Sequence, residues 1–509
     1  MPPDRRTRRC LSAKGESMLY IGVDLGTSAC KLLLLDEWGS IKRIVREPYP
    51  VDYPKPGWSE QNPTLWWDAV CRGIPELIDG IDVSLVRGIG CAGQMHGLVM
   101  LDDGGKVIRP AILWNDNRTI QEVDFLNRGI GEDRLLSYTG NIAYAGFTAP
   151  KILWVKSHEP ENFARISHIM LPKDYINYRL VGRFATDVSD ASGTLLFDVA
   201  NRTWSEPMLH ICGIEKSQLP TVFESYEGIG CVRSEVARAL GLGDCVVVAA
   251  GAGDNAAAAV GAGAVGPGCM NISLGTSGTV FIPTEGFVAG IGNRIHSFCH
   301  ADGGWHVMGC ILSAASCNEW WAHQILGNDD LVGLQQGIVP TSCDVSLPYF
   351  LPYLMGERTP LNDSLARGAF LGMSMSTSRE DMTRAVLEGV AFAVCDSVEL
   401  ARQAGTNPKR ITVCGGGARS AVWLQMIANI LNAEPMSLET EQGPGFGGAL
   451  LAAVAGGSYD CVSDAIDSTV KLKAGPAPQE KSVDGYRNRY SIWKGLYPAL
   501  RDSMHTMAG

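Results

Sequence analysis

One supersecondary unit occurs twice in the chain. An apolar strand, Leu19 to Val23, runs into Asp24-Leu25-Gly26-Thr27-Ser28 and then into a second strand, Lys31 to Leu35; the pattern predicts a hairpin with a glycine-bearing polar tip. About half the chain later, Met270 to Leu274 runs into Gly275-Thr276-Ser277-Gly278 and on into Thr279-Val280-Phe281-Ile282, in the same order. Duplication of this kind predicts two similar lobes, each giving one backbone turn to a shared cleft. Length agrees, because 509 residues exceed the roughly 250–300 over which a single core can grow. Gly261, Gly263, Gly266, Pro267 and Gly268 crowd the stretch before the second copy, so the expected division is 19–263 and 264–509. Residues 1–18, with Arg5, Arg6, Arg8 and Arg9 and no apolar stretch, read as a disordered extension.

Helical periodicity supplies the covering layers. Ser420 to Asn432 carries Val422, Trp423, Met426, Ile427, Ile430 and Leu431 on one stripe, and Asp381 to Arg402 reads as a longer, more buried helix interrupted by Gly389. Strands mixed with helices make the class α/β. A net charge of −11 without a basic stripe argues against nucleic acid, and no apolar run approaches the ~20 residues of a membrane span. Fifteen cysteines scattered singly, with no Cys-x-x-Cys pair, fit a reducing, cytoplasmic location.

No Gly-x-x-x-x-Gly-Lys-Ser/Thr is present, which excludes a P-loop kinase. Gly251-Ala252-Gly253-Asp254-Asn255-Ala256 lies between a strand and an alanine-rich helix, as a dinucleotide fingerprint would. Gly275-Thr276-Ser277, however, occupies the place where that fingerprint needs an acidic residue. An NAD-dependent dehydrogenase is therefore the weaker reading of this stretch. Asp254 at the junction can instead accept the proton of an attacking hydroxyl, or it can be an ordinary helix N-cap. Asp24 stands at the first turn, where successive backbone amides hold phosphate oxygens and a carboxylate can hold a divalent cation. Gln94-Met95-His96-Gly97 offers donors and acceptors to a polyol, or is simply structural.

Taken together, Asp24 to Ser28, Gly253-Asp254-Asn255, Leu274 to Gly278 and Gly415-Gly416-Gly417-Ala418-Arg419-Ser420 resemble, in order and spacing, the FGGY carbohydrate kinases. The resemblance runs from Leu19 to about Leu500. Further segments are similar to members acting on a ketose: Trp58 to Gln61, Gly93 to Gly97, Leu113 to Asp116, Phe147 to Lys151, Leu171 to Tyr175, Ser313 to Ser316 and Gly356 to Pro360. The resemblance implies two ribonuclease H-like domains of the actin/hexokinase type flanking a catalytic cleft, the first for sugar and the second for nucleotide. It implies ATP-dependent phosphorylation of the 5-hydroxyl of D-xylulose with Mg²⁺. Asp254 would be the catalytic base, with Asp24 supporting metal and phosphates. Met95, His96 and Asn255 would hold the sugar, and Thr27, Gly275, Thr276, Gly416 and Gly417 would line the nucleotide. A kinase for another ketose or polyol, such as ribulose or glycerol, and a non-catalytic sugar sensor remain open, and a homodimer is allowed.

Overall fold

The computed structural model describes residues 17–289, 291, 293–439 and 443–508; the basic extension, up to residue 16, lies outside them. The chain forms two compact units. The first holds the described residues up to Val265 together with Phe298–Trp305 and 443–470, and the second holds those of Gly266–Ser297, 306–439 and 471–508.

In the first unit, β1 (Leu19–Leu25), β2 (Ala29–Asp36), β3 (Ile41–Pro48), β4 (Val86–Gly93), β5 (Gly228–Cys231) and β6 (Val247–Gly253) form one sheet in the order β5-β6-β4-β1-β2-β3. The first hairpin of the sequence is β1–β2, antiparallel, with Val23 opposite Leu32. β4 runs parallel to β1 and to β6, and Leu25 and Gly253 both pair with Gly93, so the carboxyl ends of three parallel strands are level. Leu32 to Leu35 are all buried, the unbroken apolar run of a strand covered on both faces. One face receives the helix Pro444–Ala455, paved with glycine on both sides: a Cβ on Gly22 would strike the carbonyl of Gly445, and one on Gly90 that of Gly448. The other face receives the helices Pro63–Leu77 and Pro172–Val181, with Gly73 against Leu32 and Gly93 against the Cβ of Lys173.

The second unit repeats the plan in a sheet of which only Phe298, Cys299 and Trp305 are counted with the first. β7 (Cys269–Leu274), β8 (Gly278–Thr284), β9 (His296–Cys299), β10 (Trp305–Ile311), β11 (Arg410–Cys414), β12 (Pro435–Leu438) and β13 (Leu472–Ala474) run in the order β9-β10-β8-β7-β11-β12-β13. β7 pairs antiparallel with β8 and parallel with β11, as β1 does with β2 and β4. The helix expected over Asp381 to Arg402 spans Arg379–Gln403 without interruption, which corrects the expected break at Gly389. Gly389 is needed for packing instead, since a Cβ there would strike the carbonyl oxygen of Phe350. Ser420 caps the helix Ala421–Leu431 by accepting from the Trp423 amide, and Asn432 ends it in the left-handed region. Among the described residues no helix is long and apolar enough to cross a membrane.

Candidate active site

Each parallel strand of the first unit delivers chemistry where it ends. β1 ends on Asp24 and Leu25, β4 runs into Gln94-Met95-His96, and β6 runs into Asp254, the first residue of the helix Asp254–Gly261. Carboxyl ends of parallel strands are where α/β folds gather ligands, because the loops and helix N-termini that follow the strands stand there. Gly253, not Asp254, is the N-cap residue, and the Asp254 Oδ1 accepts from the Asn255 amide at 2.7 Å and from its Nδ2 at 3.1 Å. Burial, then the negative charge of Asp24, push the Asp254 carboxyl up to about 7, against the pull of the Asn255 amide. Asp24 is raised to about 6, by burial, with Lys31 opposing.

Met95 and His96 sit on a strained loop. His96 has φ of 70°, a left-handed value that a side chain rarely adopts, and several groups hold it there. Its carbonyl accepts from the Thr148 hydroxyl at 3.1 Å and from Lys151 Nζ at 2.9 Å; its Nδ1 lies 2.7 Å from the Gly193 carbonyl, and its ring stacks on Phe147. Lys151 is fully buried and also donates to the Gly146 carbonyl at 2.7 Å; burial pushes its ammonium down to about 7, with Asp116 opposing. The Met95 thioether lies over β6, within 2.9 Å of where a Gly253 Cβ would stand, and accepts weakly from Asn255 Nδ2 at 3.8 Å. Gly251 likewise must be glycine, because a Cβ would strike the Cys91 carbonyl. Strand backbone therefore accounts for Gly251, and the Met95 side chain for Gly253, in the Gly251-x-Gly253 pattern.

The turn after β1 is braced from below. Gln94 Oε1 accepts from the Thr27 hydroxyl at 3.2 Å, Trp114 Nε1 donates to the same hydroxyl at 3.0 Å, and Gln61 Nε2 donates to the Thr27 carbonyl at 2.8 Å. The Tyr49 hydroxyl donates to the Gly26 carbonyl at 2.6 Å. Asp24, Thr27, Met95, His96, Asp254 and Asn255 thus stand around one set of strand ends in the first unit.

Gly275, Thr276, Gly416 and Gly417 come together in the second unit. A Cβ on Gly415, whose φ is +87°, would lie 2.6 Å from the Leu274 carbonyl, and one on Gly417 would lie 2.8 Å from Leu274 Cβ, so the two glycine turns rest on one another. The Gly275 carbonyl accepts from the Ala315 amide, and the Thr276 carbonyl from the Ala314 amide and the Ser316 hydroxyl. Of the supporting side chains, Gln61, Trp114 and Lys151 lie within segments similar to the kinase signatures, yet nothing local in the sequence distinguishes them from ordinary surface or core residues. Glu357, in a similar segment, is structural in its bonding: its Oε1 accepts from the Leu312 and Arg358 amides.

The N-terminal domain model of the FGGY family of carbohydrate kinases matches residues 19–261, and the C-terminal domain model matches residues 270–456. The xylulose kinase of Escherichia coli (strain K12) is 41% identical over 485 residues, covering 95% of this chain and 99% of the relative. Among solved structures, a xyloylose kinase from Brucella ovis superposes with a TM-score of 0.90 at 39% identity, covering 95% of this chain and 99% of that one. A gluconate kinase from Lactobacillus acidophilus superposes with a TM-score of 0.90 at 27% identity, over 97% of this chain and 100% of that one.

Proposed function

Because the chain belongs to the FGGY family of carbohydrate kinases, we propose that it transfers the γ-phosphoryl group of ATP to the 5-hydroxyl of D-xylulose, giving D-xylulose 5-phosphate and ADP. The observation that carries this reading is Asp254, a carboxylate raised to about 7 at a strand end beside the Met95–His96 loop. Met95 offers the sugar an apolar surface, and His96 and Asn255 offer polar partners. The ionised Asp254 takes the hydroxyl proton as that oxygen bonds to the γ-phosphorus, and the bond to the leaving ADP oxygen breaks. A base titrating near neutrality is suited to this step, since it is ionised at working pH yet holds the proton firmly.

Residues 19–263 would hold the sugar and 264–509 the nucleotide. With the Gly275 and Thr276 carbonyls bonded to Ala314–Ser316, the amides of that turn are the groups left for phosphate oxygens, beside Gly416 and Gly417. Thr27 would contribute the matching turn of the first unit. Among the described residues no group of three or more His, Cys, Asp or Glu is arranged to hold a metal. Mg²⁺ needs no such cage: it is held by one or two carboxylates, water and substrate phosphates, and the partly buried Asp24 fits that sparse set. Bound there, the ion would neutralise charge on the phosphate oxygens. A cytoplasmic location suits cysteines that form no disulfide among the described residues.

A coupled ADP-release assay across D-xylulose, ribulose, glycerol and gluconate tests the reading. D-xylulose should give the highest kcat/KM, and Asp254→Ala should lower kcat by about 10²–10⁴ while the fold survives. Preference for another acceptor would overturn the substrate; full activity of Asp254→Ala would overturn the base.

A further inference from the structure

β6 does not run straight to Asp254. Its pairing with β4 passes from Ala249 opposite Gly90 to Ala252 opposite Ala92, so it holds one residue more than its neighbour, and Gly251 at the bulge has φ of +76°. A bulge detaches backbone groups from the ladder, and buried ones must find other partners. Here the Ala250 amide donates to the Glu227 carbonyl at 2.8 Å, and the Ala250 carbonyl accepts from Asn177 Nδ2 at 2.9 Å. The Gly251 amide donates to the Ser225 carbonyl at 3.0 Å and the Gly253 amide to the Ser189 hydroxyl oxygen at 3.1 Å.

The last two partners converge on one carboxylate. Asp187 Oδ2 accepts from the Ser189 hydroxyl at 2.5 Å, the Ser189 amide at 2.8 Å and the Ser225 hydroxyl at 2.6 Å. Its Oδ1 lies 2.9 Å from Lys173 Nζ, which also meets Asp174 at 2.5 Å and Asp190 at 3.6 Å. Lys173 and all three aspartates are buried. One cation among three carboxylates is an expensive way to fill a core, since apolar side chains of equal volume do so at no desolvation cost. What the cluster supplies that apolar packing cannot is direction: Asp187, held by Lys173, fixes two serines, and the serines fix the Gly251 amide at the bulge and the Gly253 amide just beyond it.

We propose that Asp187 and Ser189 are positioning residues for Asp254, setting through the Gly253 amide the angle at which its carboxylate leaves β6. The inference rests on the reading of Asp254 as the base. Ser189→Ala deletes one oxygen and frees that amide. The expected result is a kcat lowered by about tenfold to a hundredfold, as for a misplaced catalytic group. The KM for D-xylulose should change much less than kcat, because Met95 and His96 are untouched and only Asn255 of the proposed sugar contacts follows Gly253. Ser189→Thr, which restores the hydroxyl, should recover most of kcat. Ser192→Ala is the control on the same short helix, since the Ser192 hydroxyl serves Val188 and Cys299 instead of β6; it should keep wild-type kcat. If Ser189→Ala does not fold, Asp187→Asn, which keeps the shape and loses the charge facing Lys173, should give the same split. An unchanged kcat in Ser189→Ala overturns the proposal, as does a joint change of kcat and KM that Ser192→Ala reproduces. Asp254→Ala assayed in parallel separates the two readings: if it is active the base assignment falls, and if it is inactive while Ser189→Ala is normal only the positioning role falls.

Discussion

Asp254 and Asp24 are two carboxylates held partly out of water near one another, and the charge of Asp24 helps raise Asp254 to about 7. With Asp254 as the proposed base, kcat/KM measured against pH should fall about tenfold per unit below that value, as its carboxylate becomes protonated in the free enzyme. For stability the sign is opposite. An aspartate whose folded value is raised holds its proton better in the native state, so it weakens the fold as pH rises from the unfolded value of 3.8 through about 7. Asp254→Asn should therefore lose activity yet melt no lower than wild type at pH 8, an advantage that vanishes toward pH 4; a clear drop in Tm at pH 8 would contradict this. Asp254 is legible in the sequence because an acidic residue directly after a glycine-rich strand and before an alanine-rich helix has few places to go. Ser189, Asp187 and Lys151 are not, because what they do is set by partners far along the chain: the Ser189 hydroxyl meets an amide 64 positions away, and Lys151 a carbonyl 55 positions away.

At the level of elements, the two Gly-Thr-Ser hairpins are readable from alternation and turn chemistry, and both form. The helix Pro444–Ala455 lies against strands more than 350 positions earlier, which no local pattern reveals; its glycines and those of β1 and β4 make sense only as a pair. Replacing one side chain hydrogen there tests the contact. Gly90→Ala places a methyl against the Gly448 carbonyl, which neither backbone can avoid, and should destabilise the protein by about 2–3 kcal/mol in chemical denaturation. Gly495→Ala, in the helix Glu480–Ala508, meets nothing within 4 Å and needs no positive φ, so it should cost nothing, and the excess of the first loss over the second measures the helix–sheet contact. Equal losses would show that the close approach carries no energy of its own. Gly389 teaches the same lesson in reverse: read alone it breaks a helix, whereas in the fold it admits a strand carbonyl.

On the scale of the whole molecule, a repeated hairpin is a reliable sign of a repeated sheet, since β1 and β7 occupy the same place among their neighbours. The acidic balance of the chain is no obstacle to phosphate ligands when backbone turns handle them locally. What composition and repeats cannot convey is that the first unit draws on residues 443–470. Residues 19–265 expressed alone should leave the glycine-lined face of β1 and β4 open, bind hydrophobic dyes and melt without a sharp transition. Adding 443–470 through a flexible linker should restore cooperative melting, and a sharp melt of the short fragment would refute the dependence. The ribosome meets the same condition. Between Val265 and Val470 it must add roughly two hundred residues, tens of seconds of synthesis, before the first core can close. The nascent chain therefore spends that interval with its earliest strands uncovered, and they are a natural target for chaperones that hold emerging polypeptides.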